Sequence, residues 1–93
     1  MNSVVTLFIG GIDGAVTRHD FLLLLESHAR VVGLRMLKGL DGSPRGIAFV
    51  DLIDSDAAER TRNALDGLKF HGRTLVCRLA ERQTYSYKER KNV

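Results

Sequence analysis

Two phenylalanines and three arginines are the residues of this chain whose types and spacing could do chemistry together. Phe8 sits in the apolar run Leu7-Phe8-Ile9, and Phe49 in Ala48-Phe49-Val50. A strand points alternate residues to opposite faces. With both runs as strands, Leu7 and Ile9 share one face while Thr6, Phe8 and Gly10 take the other. Ala48, Val50 and Leu52 then point inward, and Arg45, Ile47, Phe49 and Asp51 point out. The same count over the neighbouring strands sends Arg35, Leu37, Val76 and Arg78 to the outer face. Aromatic rings surrounded by guanidinium groups suit a ligand that is planar and anionic, with flat rings to stack and negative groups for arginine. Large apolar side chains on an uncovered face mark a contact surface.

Other chemistries find little support. Gly10-Gly11-Ile12-Asp13-Gly14 is glycine-rich after a strand. It lacks the G-x-G-x-x-G spacing of a dinucleotide loop and reads as an ordinary turn. His19, His28 and His71 are far apart and there is no cysteine pair, so no metal site is expected. No serine, histidine and carboxylate grouping can be assembled, so no catalytic residue, enzyme activity or cofactor is expected. Asp51 and Arg35 are placed to form a cross-strand ion pair.

The elements that must position these residues follow from local signals. Val4 to Ile9 is β-branched and apolar and is bounded by glycines. Thr17 is a helix N-cap with Asp20 three residues on, and Val16 and Phe21 are spaced as a hydrophobic staple. That helix is expected to run to about His28, with Phe21, Leu24, Leu25 and His28 inward. Val31 to Lys38 reads as a second strand, Gly39 to Pro44 as a turn-rich loop, and Arg45 to Ile53 as a third strand. Asp54 or Ser55 caps a second helix to about Leu65, with Ala58, Thr61, Ala64 and Leu65 on its inner face. Arg73 to Leu79 is expected to form one last strand. The order βαββαβ predicts an antiparallel sheet with both helices on one face, leaving the other face bare.

The composition sets limits. Ninety-three residues make one domain, at 44% hydrophobic residues and a net charge of +3. The charge tolerates a polyanion without requiring one. Cys77 is the single cysteine, so no internal disulfide is expected and the thiol should pack as a small hydrophobe. The first residues lack the charged-then-apolar pattern of a signal peptide. No apolar run approaches the roughly 20 residues of a membrane span. The expected location is intracellular, in nucleus or cytoplasm, with no membrane contact.

Arg45-Gly46-Ile47-Ala48-Phe49-Val50-Asp51-Leu52 resembles the octamer K/R-G-F/Y-G/A-F-V-x-F/Y of the RNA recognition motif. Leu7-Phe8-Ile9-Gly10-Gly11-Ile12, about forty residues upstream, is similar to the partner hexamer of that family. The resemblance covers residues 5 to 80. It implies an α+β fold, a βαββαβ ferredoxin-like two-layer sandwich with a four-stranded antiparallel sheet and two helices on one face. It further implies that Phe8 and Phe49 stack bases of single-stranded RNA and that Arg45 reaches a phosphate. Ile47 stands where a third platform aromatic is usual, Leu52 replaces a final aromatic at an inward position, and Gly11 stands where asparagine is common. Arg35, Arg78 and Arg82 are expected to add charge and hydrogen bonds, with Tyr85 and Tyr87 extending the site.

The resulting expectation is a monomeric RNA recognition motif over residues 1–83 with a basic tail over 84–93, acting in RNA processing or post-transcriptional regulation. The alternative is a protein-interaction module that has kept the fold, using the first helix or the sheet. Leu22 and Leu23 carry that alternative, because Phe21, Leu24 and Leu25 already fill the expected inner face.

Overall fold

The computed structural model describes residues 3–80. The chain runs β1 (Val5–Gly10), α1 (Arg18–Glu26), β2 (Val31–Lys38), β3 (Pro44–Leu52), α2 (Ser55–Leu65), β4 (Lys69–Phe70), β5 (Arg73–Thr74) and β6 (Val76–Leu79). Four strands form an antiparallel sheet in the order β2-β3-β1-β6, and β4 pairs with β5 in a small hairpin beside it. Residues 81–93 lie outside the described residues, and with them Arg82, Tyr85, Tyr87 and the expected tail.

Alternation along the strands builds the core. Leu7, Ile9, Ala48, Val50, Leu52 and Cys77 leave one face of the sheet and are fully buried. Phe21 and Leu25 of α1 and Ala57, Ala58, Thr61 and Leu65 of α2 close over them. Each helix starts where its cap residue predicts. Thr17 Oγ1 accepts from the Asp20 N–H at 3.0 Å, and Asp54 Oδ1 accepts from the Ala57 N–H at 2.9 Å. Val16 and Phe21 are both buried, as a staple across the first turn requires. Helix α1 ends earlier than expected, at Glu26. The His28 N–H bonds back only three residues, to Leu25 O at 3.0 Å, so the final turn tightens.

One helix face departs from expectation. Leu22 and Leu24 are both half-buried against the core, whereas Leu23 is 58% exposed. At about 100° per residue, Leu22 and Leu24 flank the Phe21–Leu25 line symmetrically, roughly 80° to either side. Leu23 alone points away.

The last expected strand is also divided. Leu75 is fully buried; its N–H bonds Leu68 O at 2.8 Å, and its carbonyl accepts from the Gly67 N–H at 2.8 Å. These bonds turn the backbone aside between Thr74 and Val76, so only Val76–Leu79 joins the main sheet. His71 at φ 52° and Gly72 at φ 82° make the tight turn between β4 and β5.

Cys77 behaves as a core residue. Burial pushes its thiol up to about 11, and the nearby Asp66 carboxylate adds to the shift while Arg62 opposes it. The group stays protonated and unreactive near neutral pH. Thr61 Oγ1 is buried with no hydrogen-bond partner. Among the described residues no helix is long and apolar enough to cross a membrane, and no group of three or more His, Cys, Asp or Glu is placed to hold a metal ion.

Candidate nucleic-acid interface

Among the described residues no helix packs on the second face of the sheet, and strand register arranges its side chains in rows. Phe8 lies opposite Phe49 across β1 and β3, Arg35 lies opposite Phe49 across β2 and β3, and Arg78 lies opposite Phe8 across β1 and β6. The central row therefore reads Arg35, Phe49, Phe8, Arg78. The two rings meet edge-on, with centroids 5.8 Å apart and planes at 61°. The Arg35 guanidinium carbon sits 5.9 Å from the centre of the Phe49 ring. Both phenylalanines are half-buried, supported from the sides by the sheet.

Gly10 and Ile47 form the next row, with Val76 beyond Gly10. A Cβ on Gly10 would stand 3.2 Å from the Phe8 ring, so the glycine leaves the room in which that ring lies. Ile47 is half-buried in this row, an aliphatic side chain beside the two rings. Arg45 is exposed at the start of β3, before Gly46 bends that strand at φ 75°. Ile12 N–H donates to Gly46 O at 3.1 Å, which ties the β1–α1 loop to the rim of the face. Gly11 has its own reason. It holds φ 78°, and a Cβ there would sit 2.4 Å from Thr74 O, so an asparagine in its place would be forced against backbone.

On the other side of the aromatic row lie Thr6, Asp51 and Gly33. The expected Arg35–Asp51 pair is present at 3.3 Å and is the one ion pair among the described residues. The Thr6 hydroxyl also donates to Asp51, at 2.6 Å. The alternation count put both residues on this face, but their coupling depends on cross-strand register. The structure thus gathers Phe8, Phe49, Ile47, Arg35 and Arg78 on one surface with Arg45 at its rim. Leu22 and Leu23 belong to α1 on the opposite layer, and Arg82 lies outside the described residues.

Residues 7–76 match the family model of the RNA recognition motif. The chain belongs to the RNA recognition motif family. That family is one of non-enzymatic binding domains. Among curated relatives, the chain is 33% identical over 90 residues to the "Probable RNA-binding protein 18" of Xenopus laevis, covering 92% of this chain and 47% of that protein. It is 34% identical over 73 residues to the "Multiple RNA-binding domain-containing protein 1" of Eremothecium gossypii, covering 78% of this chain and 9% of that protein. The chain thus spans about half the length of the first of these relatives and less than a tenth of the second. Among solved structures, it superposes on "RNA Binding Protein PG1" with a TM-score of 0.77 at 27% identity, covering 83% of this chain and 94% of that one. An RNA complex of the Sex-lethal protein superposes with a TM-score of 0.77 at 25% identity, covering 82% of this chain and 47% of that one. The four-stranded sheet with two helices on one face is the fold of these motifs.

Proposed function

We propose that this RNA recognition motif binds single-stranded RNA on its open sheet face, with bases stacking on Phe8 and Phe49. Arg35, Arg45 and Arg78 reach phosphates, and Ile47 offers an apolar shelf beside the rings. The observation that carries this reading is the central row, where two adjacent rings are bracketed by arginines on a face that no helix covers among the described residues. Each base has a π-face and each nucleotide a phosphate, so the row matches the repeat of a single strand. Paired bases cannot lie on such a platform, so duplex RNA should bind more weakly. The names of the matched relatives support the same ligand. The setting that fits is RNA processing or post-transcriptional control inside the cell, as a monomer, in nucleus or cytoplasm. One matched relative is a heterogeneous nuclear ribonucleoprotein.

The test is a titration of the domain with short single-stranded RNA, followed by backbone amide shifts. Shifts concentrated on β1 and β3 are the expected result. No shift at saturating RNA, or shifts confined to α1, would overturn the reading. The rival is a protein-interaction module using the first helix or the sheet; on α1 it retains only Leu23, since Leu22 packs against the core. A single exposed leucine is ordinary surface.

A further inference from the structure

A carboxylate stands on the face proposed to meet a polyanion. Asp51 is two residues along β3 from Phe49 and on the same side of the sheet, and its side chain is only 21% exposed. Its two neighbours hold it unequally. Thr6 donates at 2.6 Å to Oδ1, a short charge-assisted bond that fixes the carboxylate. Arg35 reaches Oδ2 at 3.3 Å and Oδ1 at 3.5 Å, long contacts from a side chain that is 55% exposed. Gly33 lies on the far side, and a Cβ there would come 2.7 Å from Oδ2. The missing side chain makes the room that Oδ2 itself occupies beside the Gly33 backbone. Asp51 is thus anchored through one oxygen and loosely engaged through the other.

A carboxylate accepts hydrogen bonds and has none to donate. Near phosphates it repels, so its useful contacts are with donors on base edges. A base lying on the Phe49 ring is about 7 Å from Asp51 along the strand, within the span of the base itself. The four bases differ in what they offer there. Guanine presents an N1–H and an N2 amino group side by side, two parallel donors that match a carboxylate. Adenine and cytosine each offer one amino group next to an acceptor nitrogen. Uracil offers one N–H between two carbonyl oxygens, which a carboxylate repels. Arg35, displaced by the base, is then free to meet a phosphate.

We propose that Asp51, held by Thr6, is a specificity-determining residue that reads the edge of the base stacked on Phe49 and selects guanine over uracil. This rests on the RNA-binding reading above. The experiment uses seven-nucleotide RNAs that are uridine except at the centre, which carries guanosine, inosine, adenosine, cytidine or uridine. Affinities come from fluorescence anisotropy with the full 93-residue chain. The native chain should prefer the guanosine RNA over the all-uridine RNA by about tenfold, as expected for one well-made bidentate contact. Inosine, which lacks only the N2 amino group, should fall between them. Asp51→Asn should bring all five affinities within about twofold, with uridine binding undiminished because a repelling charge is gone. Thr6→Val, which leaves the carboxylate unanchored, should reduce the preference and carries the same test should Asp51→Asn not fold. RNAs that bind with no preference, or a preference that survives both variants, would overturn the assignment to Asp51 alone. A uniform loss across all five RNAs in Asp51→Asn would overturn it too, since that marks a structural role. Failure of every RNA to bind would overturn the RNA-binding reading along with it.

Discussion

The two faces of the sheet are made by the same strands and have opposite fates. Leu7, Ile9, Ala48, Val50 and Leu52 are fully buried beneath the helices, while their immediate neighbours Thr6, Phe8, Ile47, Phe49 and Asp51 are only half-buried on the open side. A covered face gains free energy from burial, roughly 25 cal/mol for each Å² removed from water. The open face forgoes part of that gain and keeps two rings and two flanking arginines in reach of solvent. Under the proposed function, stability and binding thus fall to alternate residues of β1 and β3. Changes on one face should leave the other quantity nearly intact.

The strongest test of that separation is the double change Phe8→Ala and Phe49→Ala. Each base stack is worth about 1–3 kcal/mol, so RNA affinity should fall by roughly 2–6 kcal/mol while the domain stays folded. Anisotropy and thermal unfolding measured on one sample check both halves. Unchanged affinity with an intact fold would remove the platform. Leu7→Ala, one residue from Phe8, should do the reverse. Truncating a fully buried leucine costs about 2–5 kcal/mol of stability, read from denaturant unfolding, and RNA affinity should hold for the folded fraction.

Salt sharpens the electrostatic side. With Arg35, Arg45 and Arg78 on phosphates, log affinity should fall against log salt with a slope of about −2, from roughly −0.7 per phosphate. A flat response would mean that these arginines stand by. On the covered side, Thr61 is the exception to an apolar rule, its hydroxyl buried and unpartnered. Thr61→Val should therefore stabilise the domain by about 1 kcal/mol in chemical denaturation, because it removes an unsatisfied polar group. The smallest effect is expected at Leu23. Leu23→Glu should change stability by less than about 0.5 kcal/mol and leave RNA binding unaltered, whereas Leu22→Glu should be clearly destabilising. Loss of a partner or of self-association in Leu23→Glu would revive the interaction reading.

The sequence by itself determined the elements that rest on local physics. Thr17 and Asp54 start the helices because a side-chain oxygen three residues before an unpaired N–H can accept it, and that needs no tertiary context. The alternation that sends Phe8 and Phe49 outward depends only on the pleat of a strand. The two motifs that resemble the RNA recognition motif sit in those strands, so the placement of both rings on one face was legible in the sequence. Tertiary structure decided what depends on which strands meet and in what register. The division of the last strand at Leu75 follows from its bonds to Leu68 and Gly67. The split between Leu22 and Leu23 follows from how α1 sits on the sheet. The clamp of Thr6 and Arg35 on Asp51 joins residues separated by 45 and 16 positions. The Arg35–Asp51 pair was readable from strand alternation, but the Thr6 hydroxyl carries no signal toward Asp51 until the pairing of β1 with β3 brings the two side by side.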